Sequence, residues 1–236
     1  ENYTFENFRR FTENSLKRLN IDVLDLTQLH CIPTELMESG EAFEWLRELQ
    51  KEGKIKKFGA SVESISEAQT CLKQDGLASL QIIFNIFRQK PITQLFDDAK
   101  TKGVSLIVRL PLASGLLGGK LNPNGSFPKN DHRTFNSDGQ CFNVGETFAG
   151  IPFNIGLDIV EELTKMIPKG MTLAQMSLRW ILDFDAVTVV IPGSKSPLQI
   201  PDNASASHLP SLSKSLHEKL SIFYDAKIVQ HIRGKY

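Results

Sequence analysis

The sequence has no surplus of either charge: 27 Lys and Arg stand against 27 Asp and Glu over 236 residues. A neutral chain lacks the electrostatic footprint that nucleic acid or an anionic membrane surface demands, so neither is expected as a partner. No run approaches the roughly 18 uncharged apolar residues of a membrane span. The opening Glu1-Asn2-Tyr3-Thr4-Phe5-Glu6 has neither the basic start nor the apolar stretch of a signal peptide. It has no initiator Met either, and we expect the sequence to begin inside a longer product. Cysteine is scarce. Cys31, Cys71 and Cys141 are odd in number, widely spaced and without a Cys-x-x-Cys pair. They argue against a disulfide framework or a zinc site and for a reducing, cytoplasmic compartment. No low-complexity segment or linker divides the chain, so residues 1–236 are expected to form a single domain.

What the chain does have is alternation. Strand-like runs occur at 23–30, 56–61, 80–87, 104–110 and 187–191. Between them lie helical stripes, with Phe43, Leu46 and Leu49 as core positions of one over 41–52. Ser66-x-x-Gln69 and Thr172-x-x-Gln175 read as capping boxes. Pro91 reads as a first helical residue, leading a helix that carries Leu95, Phe96 and Ala99 and stops at Gly103. Further helices are expected over 155–167, near Pro201 and around Leu220. Residues 115–150 form a long irregular stretch of Gly, Asn and Pro, and loops of that length are usually functional. Strands separated by helices imply parallel pairing in an α/β fold. An open doubly wound sheet and part of a (β/α)8 barrel fit the pattern equally, although G-x-G-x-x-G is missing after the first strand.

Four motifs bear on that choice. Asp22-Val23-Leu24-Asp25-Leu26-Thr27-Gln28-Leu29-His30, behind Ser15-Leu16-Lys17-Arg18-Leu19, resembles the fourth-strand signature of the aldo-keto reductases. Glu52-Gly53-Lys54-Ile55-Lys56-Lys57-Phe58-Gly59-Ala60-Ser61 is similar to that family's fifth strand. Arg109-Leu110-Pro111-Leu112-Ala113-Ser114-Gly115-Leu116-Leu117 resembles its seventh, and Val190-Ile191-Pro192-Gly193-Ser194-Lys195 its eighth. Asn130-Asp131-His132-Arg133 and Gly145-Glu146-Thr147-Phe148-Ala149-Gly150 resemble one mostly bacterial branch.

The resemblance implies a (β/α)8 barrel of which about five βα units are present here. It implies NADP(H) as cofactor and a small-molecule aldehyde or ketone as substrate. His30 matches the family's carbonyl-polarising His, at the strand end where barrel enzymes collect catalytic groups. Ser61 and Gln81 match residues that hold the nicotinamide carboxamide. Val62 stands where the family usually has Asn. Arg109 occupies the place of a ring that stacks on the nicotinamide; a strand-end salt bridge is the structural alternative. Pro111, Leu112, Gly115 and Leu117 match the pyrophosphate loop. Gly193, Ser194 and Lys195 match the adenosine end, with the Lys charge toward the 2′-phosphate, and Gln199 and Asn203 match further adenosine contacts. A solvated lysine is the alternative for Lys195.

The family's catalytic Asp, Tyr and Lys precede the Ser15 motif, so the chain alone is expected to be inactive. Rival expectations are a non-catalytic nicotinamide-nucleotide-binding or channel-associated regulatory subunit, or a remnant without function. Cys31 is expected to be a buried structural thiol, and His132, His208, His217 and His231 surface or loop residues. Specificity is expected to come from loops on the C-terminal face, chiefly Gly118 to Gly150. Oligomeric state is not readable from the sequence.

Overall fold

The computed structural model describes residues 3–236. Helix α1 (Phe5–Leu19) starts where the Thr4 hydroxyl accepts from Asn7 N, and Asn20 ends it in the left-handed region. Then follow β1 (Leu24–His30), α2 (Thr34–Ser39), α3 (Glu41–Lys51), β2 (Ile55–Ser61), α4 (Ile65–Cys71) and β3 (Leu77–Ile83). Next come α5 (Pro91–Gln94), α6 (Phe96–Thr101) and β4 (Ser105–Arg109). A long connection holding α7 (His132–Phe135) leads to α8 (Phe153–Thr164), α9 (Leu173–Leu182), β5 (Val187–Val190), α10 (Gln199–Ser205) and α11 (Lys214–Phe223).

The five strands pair in parallel, in the order β1-β2-β3-β4-β5. A doubly wound sheet reverses its strand order at a switch point, and this one does not. Crossovers of one hand in an unreversed order lay every connecting helix on the same face. Burial agrees. Leu29, Phe58, Ala60, Leu80, Ile82, Leu106 and Val108 share one face of the sheet and are buried in the core. The opposite, inner face carries Gln28, His30, Ser61, Gln81 and Arg109. This is the barrel type of winding. Among the described residues the barrel is not closed, since β1 and β5 each pair on one side only.

Several boundaries differ from the sequence expectation for local reasons. The third strand starts at Leu77, directly after the left-handed Gly76, and ends at Ile83. Residues 84–87 form a turn in which Asn85 Oδ1 accepts from Phe87 N at 2.9 Å. The cap of α4 is Ser64, not Ser66: its hydroxyl accepts from Glu67 N at 3.2 Å, and the Glu67 carboxylate reaches back to Glu63 N at 2.8 Å. The helix begun by Pro91 breaks at Leu95, whose φ of −142° is not helical, so Phe96 opens a second helix. Helix α8 begins two residues earlier than expected, and α2 was not foreseen. Thr172 and Gln175 do form a reciprocal capping box, and Pro201 lies in the first turn of α10.

The core beneath β3 and β4 is aromatic. Phe84 lies 4.9 Å from Phe96 and 4.9 Å from Trp180, ring centre to ring centre, with Phe184 edge-on at 5.4 Å. On the inner face Gly59 sits directly against Ser79 of β3. A Cβ there would lie 2.2 Å from Ser79 Oγ and 2.5 Å from Ser79 O. Gly59→Ala should therefore destabilise the fold by roughly 1–3 kcal/mol. A thermal melt checks this, and an unchanged Tm would mean that the strands separate freely at this point.

Candidate active site at the strand ends

One register row crosses the inner face near the C-terminal ends of the strands. His30 pairs with Ser61, Ser61 with Gln81, Gln81 with Ile107 and Ile107 with Val189. Directly paired residues of a parallel sheet project to the same side, so three of the sequence-selected side chains stand next to one another. His30 is exposed. Ser61 Oγ donates to Gln81 Oε1 at 3.4 Å, Gln81 Nε2 to Gln28 Oε1 at 3.0 Å, and Gln28 Nε2 to Ser79 Oγ at 3.1 Å. Gln28 reaches Ser79 across the side-chain-free Gly59, one row below. Sequence reasoning missed Gln28 as an orienting residue. Its place two residues before His30 on a strand, hence on the same face, was the available signal.

Arg109 lies one row above Gln81 and closes the top of this array. Its side chain is only 9% exposed and pairs with Glu146 at 2.9 Å. It also donates to Val62 O at 3.3 Å and to Cys31 Sγ at 3.8 Å. The salt-bridge alternative for Arg109 is thus present in the structure. Its Nε has no partner. Cys31 is turned inward by a left-handed φ of 49° just after His30. It is half-buried, not fully buried as expected, and burial raises its pKa, so it stays a thiol. Cys71 is fully buried and its thiol is pushed up to about 12. Ser61 is 1% exposed beneath this cluster, so access to its hydroxyl requires Arg109 or Cys31 to shift.

The chain after β4 winds tightly. Leu110, Ala113, Ser114 and Gly115 all have positive φ, Gly115 at 101°. Side chains hold the coil from outside. Asn85 Nδ2 donates to Leu110 O at 2.9 Å, Ser114 Oγ donates to Glu146 O at 3.1 Å, and Phe148 N donates to Ser114 Oγ at 3.0 Å. Pro111 and Leu117 are buried and Leu112 half-buried, so all three shape this loop more than they face solvent. Asp131 accepts from Arg133 Nε at 2.9 Å and Nη2 at 2.6 Å, which holds its carboxyl far below the usual carboxylate range. Lys195 Nζ stands 3.7 Å from Asp131 but is 74% exposed. Gln199 Oε1 accepts from Lys195 N at 2.6 Å and Ser196 N at 3.2 Å, while Asn203 Nδ2 donates to Ser194 Oγ at 3.2 Å. Nothing crowds a Cβ built on Gly193. The Gly193–Lys195 backbone is therefore braced by α10 and open in front.

A second buried guanidinium supports the rim from behind. Arg88 is fully buried, burial lowers its pKa to about 10, and Tyr236 lies under it with the ring centre 4.4 Å away. Gly145 presses on its other side, where a Cβ would fall 2.3 Å from Nη1. Of the histidines read as surface residues, His217 departs most. It is bonded to Asp183 at 3.0 Å and stacked near Trp180. His132 lies beside Ser114 Oγ at 3.4 Å on the active-face loop.

Cys31, Glu63 and Glu146 offer atoms within 4.8 Å of one another, a cluster invisible in sequence because its members come from three segments. Burial, then the neighbouring Glu146, raises the Glu63 carboxyl above its ordinary 4.5. A carboxyl whose folded pKa is raised contributes stability below the unfolded value, and that contribution is lost as pH rises through the folded value. The Tm difference between wild type and Glu63→Gln, followed from pH 4 upward, should shift progressively in favour of the variant. A difference that stays flat with pH would show that Glu63 titrates as it does in the unfolded chain.

Among the described residues, no helix is long and apolar enough to cross a membrane. Residues 1–225 match the model of the aldo/keto reductase family. The chain is 30% identical over 190 residues to aldo-keto reductase YhdN of Bacillus subtilis, covering 80% of this chain and 54% of that protein. It thus spans about half the length of that relative. Among solved structures, a glycerol dehydrogenase from Gluconobacter oxydans superposes with a TM-score of 0.77 at 24% identity, over 98% of this chain and 68% of that one. An aldo-keto reductase from Bacillus halodurans, in its holo form, gives 0.72 at 25% identity over 98% and 71%. With the barrel-type winding, the His30 row and the coiled loop after β4 in place, the chain belongs to the aldo/keto reductase family.

Proposed function

We propose that this chain forms the coenzyme-binding side of an NADP(H)-dependent oxidoreductase that reduces a small aldehyde or ketone to the alcohol. The observation that carries the reading is the shared row of His30, Ser61 and Gln81 under Arg109, at the C-terminal ends of parallel strands. The residues fit a nicotinamide dinucleotide. Ser61 and Gln81 offer a hydroxyl and an amide side by side, and Arg109 retains an unpartnered buried N–H. Gly115, Gly193, Ser194 and Lys195, with Gln199 and Asn203 behind them, line the path for the phosphates and the adenosine.

A bound nicotinamide supplies the hydride, which none of the twenty side chains can donate. His30 is placed to donate a hydrogen bond to the substrate oxygen, where negative charge grows as the carbonyl is reduced. Gln28 accepts from the Gln81 amide nitrogen and so fixes the orientation of that amide beside Ser61. The proton donor of the reaction is assigned to the family's Tyr, with its Lys and Asp, on strands ahead of the Ser15 motif. The chain alone therefore binds coenzyme without turning over a carbonyl substrate. Lys195 gives the site its preference for a 2′-phosphate.

Titration of the purified chain with NADPH and NADH, followed by nucleotide fluorescence, tests this. Lys195→Ala should weaken NADPH about three- to fivefold, as befits an exposed ion pair, and leave NADH nearly unchanged. Equal weakening of both would remove Lys195 from the 2′-phosphate. Binding of neither nucleotide by the wild-type chain would overturn the coenzyme reading.

A further inference from the structure

We propose that Glu146 is a positioning residue for coenzyme entry. It holds Arg109 shut over the Ser61–Gln81 pair, and the nicotinamide end enters only when that ion pair opens. This rests on the coenzyme reading for what enters, and on the contacts alone for the latch. Ser61 is 1% exposed, and its hydroxyl is already engaged, donating to Gln81 Oε1 at 3.4 Å. Arg109 stands above them on the same sheet face, two residues after Ile107, the register partner of Gln81. Its guanidinium donates to Val62 O, beside Ser61, at 3.3 Å and reaches Cys31 Sγ at 3.8 Å. A carboxamide therefore meets Ser61 only after the guanidinium has moved.

What keeps it there is a carboxylate from a distant loop. Glu146 Oε1 stands 2.9 Å from Arg109 Nη1, with 23% and 9% of the two side chains exposed. An ion pair so little solvated is weakly screened, and its charge-assisted hydrogen bond is of the stronger kind. Lys235 serves Glu63 at 3.7 Å and Glu67 at 2.9 Å, so the Glu146 charge is left to Arg109. The shut position still leaves Arg109 Nε buried without an acceptor, so this guanidinium has hydrogen bonding to gain by moving. The latch is also tied to the coil after β4. Ser114 Oγ donates to Glu146 O at 3.1 Å and accepts from Phe148 N at 3.0 Å. The backbone of Glu146 thus moves with the segment proposed to follow the phosphates. A shut state that must open first lowers the apparent affinity by the fraction of molecules that are open.

Two readouts test the latch. In stopped-flow nucleotide fluorescence, Glu146→Gln should speed NADPH association and lower its Kd about fivefold, as befits a charge-assisted bond replaced by a neutral one. Were Glu146 instead needed to aim Arg109 at the coenzyme, the same variant would bind more weakly. The second readout needs no coenzyme: alkylation of the folded chain by neutral iodoacetamide, followed on the Cys31 peptide by mass spectrometry. With Arg109 released, Cys31 should react severalfold faster in Glu146→Gln. Glu63→Gln is the control. Burial raises the Cys31 thiol most, and of the two carboxylates Glu63 adds more than Glu146. Lost charge alone would therefore accelerate Glu63→Gln at least as much. Equal acceleration in Glu63→Gln, no acceleration in Glu146→Gln, or weaker NADPH binding by Glu146→Gln overturns the proposal. Cys71 is fully buried and should stay unlabelled throughout. If it reacts, Glu146→Gln has loosened the fold, and Glu146→Asp, whose carboxylate is too short to hold Arg109, is read by the same criteria. A wild-type chain that binds neither nucleotide discards the coenzyme reading, and the alkylation rates then decide the latch by themselves.

Discussion

Parallel pairing in strict chain order is the constraint from which the site follows. It puts the C-terminal ends of all five strands on one rim and every covering helix on the other face. Residues far apart in sequence then meet by register alone: His30, Ser61 and Gln81 stand side by side because their strands do. The inner face gains polar side chains without exposing the core, since Leu29, Ala60, Leu80 and Leu106 take the alternate positions. Gly59 has the same origin. The row below the site holds a glutamine that must reach across β2 to Ser79, and only a residue without a side chain leaves the path clear.

Arg109 links this sheet-borne array to the loop above it. It meets the Cys31–Glu63–Glu146 cluster through Glu146, as Lys235 does through Glu63 at 3.7 Å, and it ties the Glu146 loop to the strand ends. Its nitrogens donate along the edge of the guanidinium, to Glu146 and to Val62 O. Donation along the edge fixes the plane of the guanidinium, which is the salt-bridge alternative for this position.

How much of this was legible in the sequence depended on how local the signal was. The five strands, the Phe43–Leu46–Leu49 stripe, the Thr172 capping box and Pro91 as a helix start all appear in the structure, because each is decided within a turn or two of chain. Ser66 looked as good a cap as Ser64. What separates them is the reach of Glu67 back to Glu63 N, which depends on where β2 delivers the chain. The third strand was placed three residues late because Phe84, Ile86 and Phe87 are as apolar as a strand, although they are buried in a turn held by Asn85. The His30, Ser61, Gln81 and Arg109 positions were visible through motifs. Gln28 and Glu146 lay inside the same motifs, and Gln28 shares the strand face of His30, but the contacts that join them, Cys31 and Glu63 to the site run across strands and loops and are not written in the sequence.

The same reasoning explains why the end of the chain belongs to the active face. Arg88 follows β3, Gly145 lies in the loop that carries Glu146, and Tyr236 comes from the last segment, yet all three meet at one buried guanidinium. Arg88 also donates to Lys235 O, while Lys235 pairs with Glu67 at 2.9 Å and Arg233 with Gly150 O at 2.9 Å. Burying a charge costs free energy that a well-packed apolar side chain would not, so its use here is better understood as registration than as stability. A buried guanidinium held by Lys235 O, the Tyr236 ring and the side-chain-free Gly145 ties the three segments together at one point. The position of Glu146, and through it of Arg109 over the His30 row, is thereby set from the far end of the chain.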